Sequence, residues 1–235
     1  MVIAPFVIRY DFTLPGPREV GFELRLDPLT LLNRAPIRDD LPAWTKLSCQ
    51  QCKNCPLREV DTPTCPVAGQ LVDVVELFAG MVSFERVSVR VTVPERTYEQ
   101  HDLPVQVALS SLLGLYMVTS GCPVMAHLRP LVRFHLPFAS ELETITRAVS
   151  MHLLDQYLRA QRGEVADWSL DALSKAYEAT GAVNMAFAQR LRTAAPKDAN
   201  VNALIRLDSF ARTLPDTIES HLEELTFLFP PRAGS

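Results

Sequence analysis

Four cysteines, Cys49, Cys52, Cys55 and Cys65, fall within seventeen consecutive positions of this chain, in "SCQQCKNCPLREVDTPTCPVA" from residue 48. The only other thiol is Cys122. A Cys-x-x-Cys turn sets two sulfurs about one ion's width apart with backbone N–H groups aimed at them, and two such turns overlap here at Cys52. A loop that holds a metal must close on itself, so this pattern limits the fold before any helix or strand is assigned.

A second regularity bears on the ligand set. "CPVA" at Cys65 and "CPVM" at Cys122 are near-copies, each opening an apolar helical pattern. Cysteine at a helix cap with proline at the first helical position would put each sulfur at a helix N-terminus, where the dipole favours thiolate. The expected ligands are therefore Cys52, Cys55, Cys65 and Cys122, with Cys49 in reserve; the local set of Cys49, Cys52, Cys55 and Cys65 stays open. Zinc is the expected metal, because a closed four-thiolate site adds folding energy and needs no redox partner. An iron–sulfur cluster is the alternative, since Cys-x-x-Cys-x-x-Cys with a later Cys-Pro is similar to the ferredoxin pattern. Here, however, the fourth cysteine lies too far along, and no second cluster motif follows. Reduced thiols without metal are the remaining reading. A closed set would be structural: no His-Glu-x-x-His exists, and no histidine lies within the cysteine loop.

Around this loop the hydrophobic period changes once. Phe6, Ile8, Tyr10 and Phe12 alternate with Val7, Arg9, Asp11 and Thr13, and Phe22, Leu24 and Leu26, then Val87, Val89, Val91 and Val93, alternate with polar neighbours. These predict about three antiparallel strands, the first two joined as a hairpin through "LPGPREVG". From Val105 the period is helical. "SELE" at Ser140 to Glu143 is a capping box opening a helix that stops near Gly163. Ser169 is expected to cap a second helix to about Leu191. Asp198 would cap a third, with "DANVNA" read as a cap rather than a groove lining. Pro215-Asp216 would break it from a fourth ending at Pro230-Pro231. The fold class is α+β: a small antiparallel sheet and metal loop over 1–104, a helical bundle over 105–235, joined in one integrated domain.

A third stretch, "SGCPVMAHLRPLVRFHLPFAS", carries His127, Arg129, Arg133 and His135 among apolar residues. Guanidiniums fork onto carboxylates or phosphates, so these four form a candidate ligand pocket beside Cys122, or an enzyme site for a small anion. The plainer reading makes Arg129 and Arg133 a solvated face, paired with Glu141 and Glu143, and His135 a core histidine.

The totals exclude more than they select. A net charge of −4 with no run of five like charges argues against nucleic acid as the main partner. Nine glycines and no Gly-x-Gly-x-x-Gly, Walker loop or Gly-x-Ser-x-Gly elbow argue against nucleotide or serine-hydrolase chemistry. The longest apolar run, from Val107 to Gly121, is short of a bilayer span of about 20 residues, and no secretory leader is expected at the N-terminus. Trp44 and Trp168 are read as boundary aromatics.

With "WTKL…CKNCPL…CPVA", "YMVTSGCPVM", "RFHLPFAS" and "DANVNAL" in view, the chain resembles an uncharacterised family of bacterial proteins, a domain of unknown function. The resemblance implies a bacterial cytosolic protein and supplies no catalytic residue. The function expected from the residues is a zinc-stabilised module that binds a small molecule or a protein, more a binding protein than an enzyme; a redox or sensor protein is the alternative.

Overall fold

A computed structural model describes residues 4–16, 18–195 and 197–230. Strands β1 (Phe6–Leu14) and β2 (Arg18–Leu26) pair antiparallel from Phe6 opposite Leu26 to Leu14 opposite Arg18. Helix α1 (Pro66–Phe78) follows the cysteine loop, then strands β3 (Arg86–Val93) and β4 (Arg96–Pro104). The sheet is four-stranded and antiparallel in the order β2-β1-β3-β4, one strand more than the alternation predicts. The fourth escapes sequence reading for a physical reason: β4, "RTYEQHDLP", is an edge strand exposed at most positions, with Leu103 its buried anchor. With neither face fully covered, no apolar alternation is required of it.

The period-2 pattern works as expected where it exists. Ile8, Tyr10 and Phe12 from β1 and Val87, Val89 and Val91 from β3 are buried on one face. The opposite face carries exposed ion pairs such as Arg9–Asp11, Glu23–Arg25 and Arg90–Glu99. The buried face is covered by α1 and by α2 (Val105–Thr119), the apolar run, of which Ala108, Leu109, Leu112 and Leu113 are fully buried. Among the described residues no helix is long and apolar enough to cross a membrane.

The rest of the chain is helical: a 3-10 segment over Ala126–Phe134, α3 (Glu141–Gln161), α4 (Asp171–Ala194) and α5 (Ala199–Glu223). The capping box opens α3 as read, with the Ser140 hydroxyl accepting from the Glu143 N–H and the Glu143 carboxylate accepting from the Ser140 N–H. Two cap expectations need correction. At α4, Leu170 occupies the cap position with a φ of 66°; the Ser169 hydroxyl accepts the first helical N–H, from Asp171 at 3.4 Å, and the Asp167 carboxylate accepts the second, from Ala172 at 2.9 Å. At α5, Asp198 is in the cap position, but its carboxylate reaches across to the Ser83 N–H and hydroxyl, tying the helix start to the turn between α1 and β3.

Pro215 does not break the chain into two helices; α5 runs through it. Proline removes one ladder bond. Ala211 and Ile218, on either side of it, are both buried in a cluster with Ile145, Val149 and Tyr177, and that burial carries the helix across. The helix ends at Glu223, short of the expected end at Pro230-Pro231, and a 3-10 turn over Thr226–Leu228 follows it; Pro231 itself lies outside the described residues. A larger cluster draws residues from the sheet, α1, α2, α4 and the start of α5 into one core.

Candidate metal centre and the neighbouring cavity

The loop between residues 46 and 65 is pinned at its base like a hairpin. The Leu47 N–H donates to the Pro63 carbonyl and the Cys65 N–H to the Thr45 carbonyl, closing a bridge between Lys46 and Thr64. Inside it, the Cys55 N–H donates to the Cys52 carbonyl at 3.0 Å, forming the tight Cys-Lys-Asn-Cys turn. Asn54 at the tip donates to the Ala179 carbonyl of α4, which presses the loop onto the helices. Cys65 is the cap residue of α1 with Pro66 at its first position, as the "CPVA" motif predicts.

Cys122 reaches the same place by another route. No α-helix starts there: α2 ends at Thr119, and Gly121, at a φ of 93° that few residues but glycine adopt, turns the chain. A short 3-10 run replaces the expected helix because Pro130 would interrupt α-helical bonding. The N–H groups of Val124 and Met125 are nevertheless directed at the Cys122 sulfur, so the thiolate-favouring donors are present without a helix dipole.

Cys52, Cys55, Cys65 and Cys122 line one small cavity of about 20 Å3 together with Leu47, Val183, Phe187 and Arg190. Cys49 does not line it. A volume near that of one water-sized sphere leaves room for a single atom-sized guest. Among the described residues, no three His, Cys, Asp or Glu side chains are already drawn into a formed metal site. The sulfurs would therefore have to close in on an ion. Burial pushes the Cys52 thiol up to about 12, with repulsion from Cys65, Cys122 and Cys55 adding to it and the Arg190 guanidinium opposing it. Burial likewise raises Cys122, against the two backbone N–H groups. Raised in this way, the Cys52 and Cys122 thiols need a cation beside them to ionise together.

Arg190 is the part of this centre that sequence reasoning missed. It comes from α4, is 2% exposed, and its NH1 donates to the carbonyls of Trp44 and Lys46, each at 2.7 Å, while NH2 donates to Leu47 at 3.3 Å. Its signal was legible: it continues the stripe of Val183 and Phe187, where an arginine among buried residues needs partners.

The second predicted constellation is brought together only in part: Arg133 and His135 line one cavity, with neither His127 nor Arg129 in its lining. Arg133 pairs with Glu95 at 2.7 Å, rather than Glu141 or Glu143, and lies over the Phe6 ring. Arg129 has a buried Nε without a partner and lines none of the cavities described here. His127 donates from Nδ1 to the Val124 carbonyl and has Nε2 3.3 Å from the Thr180 hydroxyl. His135 accepts or donates at 2.6 Å with the Tyr10 hydroxyl, itself 2.9 Å from Ser111. Burial, then the charge of Arg147, pushes the His135 imidazole down to about 3, so it is neutral.

His135 and Ser111 face a cavity of about 270 Å3 enclosed by α2, the 3-10 segment and α3 to α5. Arg147 of α3 lines it too, a residue that sequence spacing hides, since its place four after Glu143 reads as a surface ion pair. No curated protein and no solved structure matches this chain. The profile of one family matches residues 8–230, and the chain belongs to that family, the domain of unknown function DUF6901.

Proposed function

We propose that Cys52, Cys55, Cys65 and Cys122 bind one zinc ion, that this zinc is structural, and that the protein is a binding module whose helical half receives a small molecule or a partner. The observation that carries the metal is the convergence of four thiols from three chain segments on one apolar cavity. A cavity sized for one atom favours a single ion over a cluster of several irons and sulfides. Four thiolates leave no open coordination position for a reacting water, which makes the ion a staple rather than a catalyst. The staple would fix the 46–65 loop to α1 and to the turn after α2, next to the wall of the larger cavity. Bound thiolates carry net negative charge, and Arg190 supplies a buried positive charge beside them.

Cobalt(II) titration of reduced, metal-free protein tests this reading. One cobalt per chain, with thiolate-to-cobalt absorption and the intense visible bands of a tetrahedral site, is expected. Cys52→Ser and Cys122→Ser should weaken and recolour the complex, and Cys49→Ser should leave it unchanged. A spectrum that responds to Cys49→Ser but not to Cys122→Ser overturns the ligand set.

A further inference from the structure

The walls of the 270 Å3 cavity are mostly aliphatic, including Val107, Leu115, Val118, Leu131 and Leu207. Its charged lining is one-sided among the described residues: Arg147 and Arg206 face it, and no described Asp or Glu does. Arg147 is the more buried, and its environment is incomplete. NH2 donates to the Leu131 carbonyl at 3.2 Å, while Nε is buried with no partner. Glu143, one turn back, has its carboxylate committed to the Ser140 cap. A second unmet polar group lies in the same wall: Asn184, 2% exposed, has its Oδ1 buried without a partner. A side-chain amide can turn either its oxygen or its NH2 toward a guest.

We infer that this cavity binds a medium-chain organic acid, its carboxylate forked onto Arg147 and its apolar chain lying against α2 and α5. A guanidinium taken out of water without a carboxylate has lost hydration for little return, and a carboxylate restores two parallel hydrogen bonds to it. The Ser111–Tyr10–His135 chain beside it stays uncharged, so the arginines select the sign of the ligand, and Arg147 is the buried one of the two. At this size the cavity falls near the lower end of small-molecule sites, which typically run from about 300 Å3 upward. It suits a medium-length chain better than a nucleotide or a long acyl group. The inference rests on reading the helical half as a binding module and is independent of the metal.

Isothermal titration calorimetry with sodium octanoate, 1-octanol and octyltrimethylammonium separates head-group charge from chain burial. Wild-type protein should bind octanoate at one per chain, at least tenfold more tightly than octanol, and the cation not at all. Arg147→Met should bring octanoate down to the octanol level while octanol binding, a check that the cavity is intact, stays within twofold. Should that variant not fold, Arg147→Lys keeps the charge and loses the fork, and octanoate should weaken severalfold. Equal binding of octanoate and octanol overturns the acid while leaving a binding module in place. Binding of neither by folded protein overturns both.

Discussion

Replacing Arg190 by Met removes a buried charge and three hydrogen bonds while keeping most of the apolar stem. The Lys46 carbonyl would still accept the Cys49 N–H, so it is not orphaned. The carbonyls of Trp44 and Leu47 would lose the bonds they receive from the guanidinium. Leaving a buried carbonyl unsatisfied costs about 1–3 kcal/mol, so the two together lose about 2–6 kcal/mol. Relief from desolvating a guanidinium returns part of that, giving an expected net loss of about 2–4 kcal/mol. Urea unfolding with chelator present measures it, with an unchanged dependence on denaturant expected if the variant unfolds as the parent does. Zinc-loaded protein should show a loss at least as large, because the guanidinium also faces the thiolates. A loss below about 1 kcal/mol in both forms would refute the reasoning and make Arg190 a packed side chain whose charge is incidental.

Three further outcomes follow from particular contacts. The His135 imidazole is held neutral with its pKa pushed down to about 3, so below pH 6.5 the unfolded chain takes up the proton first and the folded state loses stability as pH falls. At about 1.36 kcal/mol per pH unit the loss reaches about 2 kcal/mol by pH 5, and His135→Gln should flatten that part of the pH–stability curve; an unchanged acid slope contradicts it. Pro215→Ala restores a helical N–H in the middle of α5 and should raise stability by about 1 kcal/mol in thermal unfolding, whereas a drop would mean the proline ring itself packs usefully. Ser83→Ala removes one of the two Ser83 bonds to Asp198 and should cost about 1 kcal/mol by the same assay, with no loss arguing that the backbone N–H suffices.

The parts of this fold legible in the sequence are those in which one face is buried and the other is not. β1, β2 and β3 announce themselves by alternation, and α3 by its capping box. β4 does not, because an exposed edge strand is under no pressure to alternate. Pro215 misleads for the opposite reason: local propensity forecasts a break, and burial of Ala211 and Ile218 overrides it. For the metal centre, spacing pointed to the Cys-x-x-Cys turn and to the paired Cys-Pro motifs, although Cys122 meets its N–H donors through a turn rather than a helix. For Arg190 the helical stripe of Val183 and Phe187 signalled burial but not its partners, which lie more than a hundred residues away at Trp44, Lys46 and Leu47, and for Arg147 spacing pointed to a surface pair with Glu143 rather than to a cavity.

Zinc at the four-thiol cavity is the central claim, and metal content is its most direct test. Protein expressed and purified without oxygen would be analysed for zinc, iron and acid-labile sulfide and examined for visible absorption. One zinc per chain, with no iron and no colour, is the predicted result. Iron with acid-labile sulfide and a brown, thiolate-to-iron spectrum would contradict it and make the loop a redox centre; thiols that carry no metal at all would remove the staple from the account.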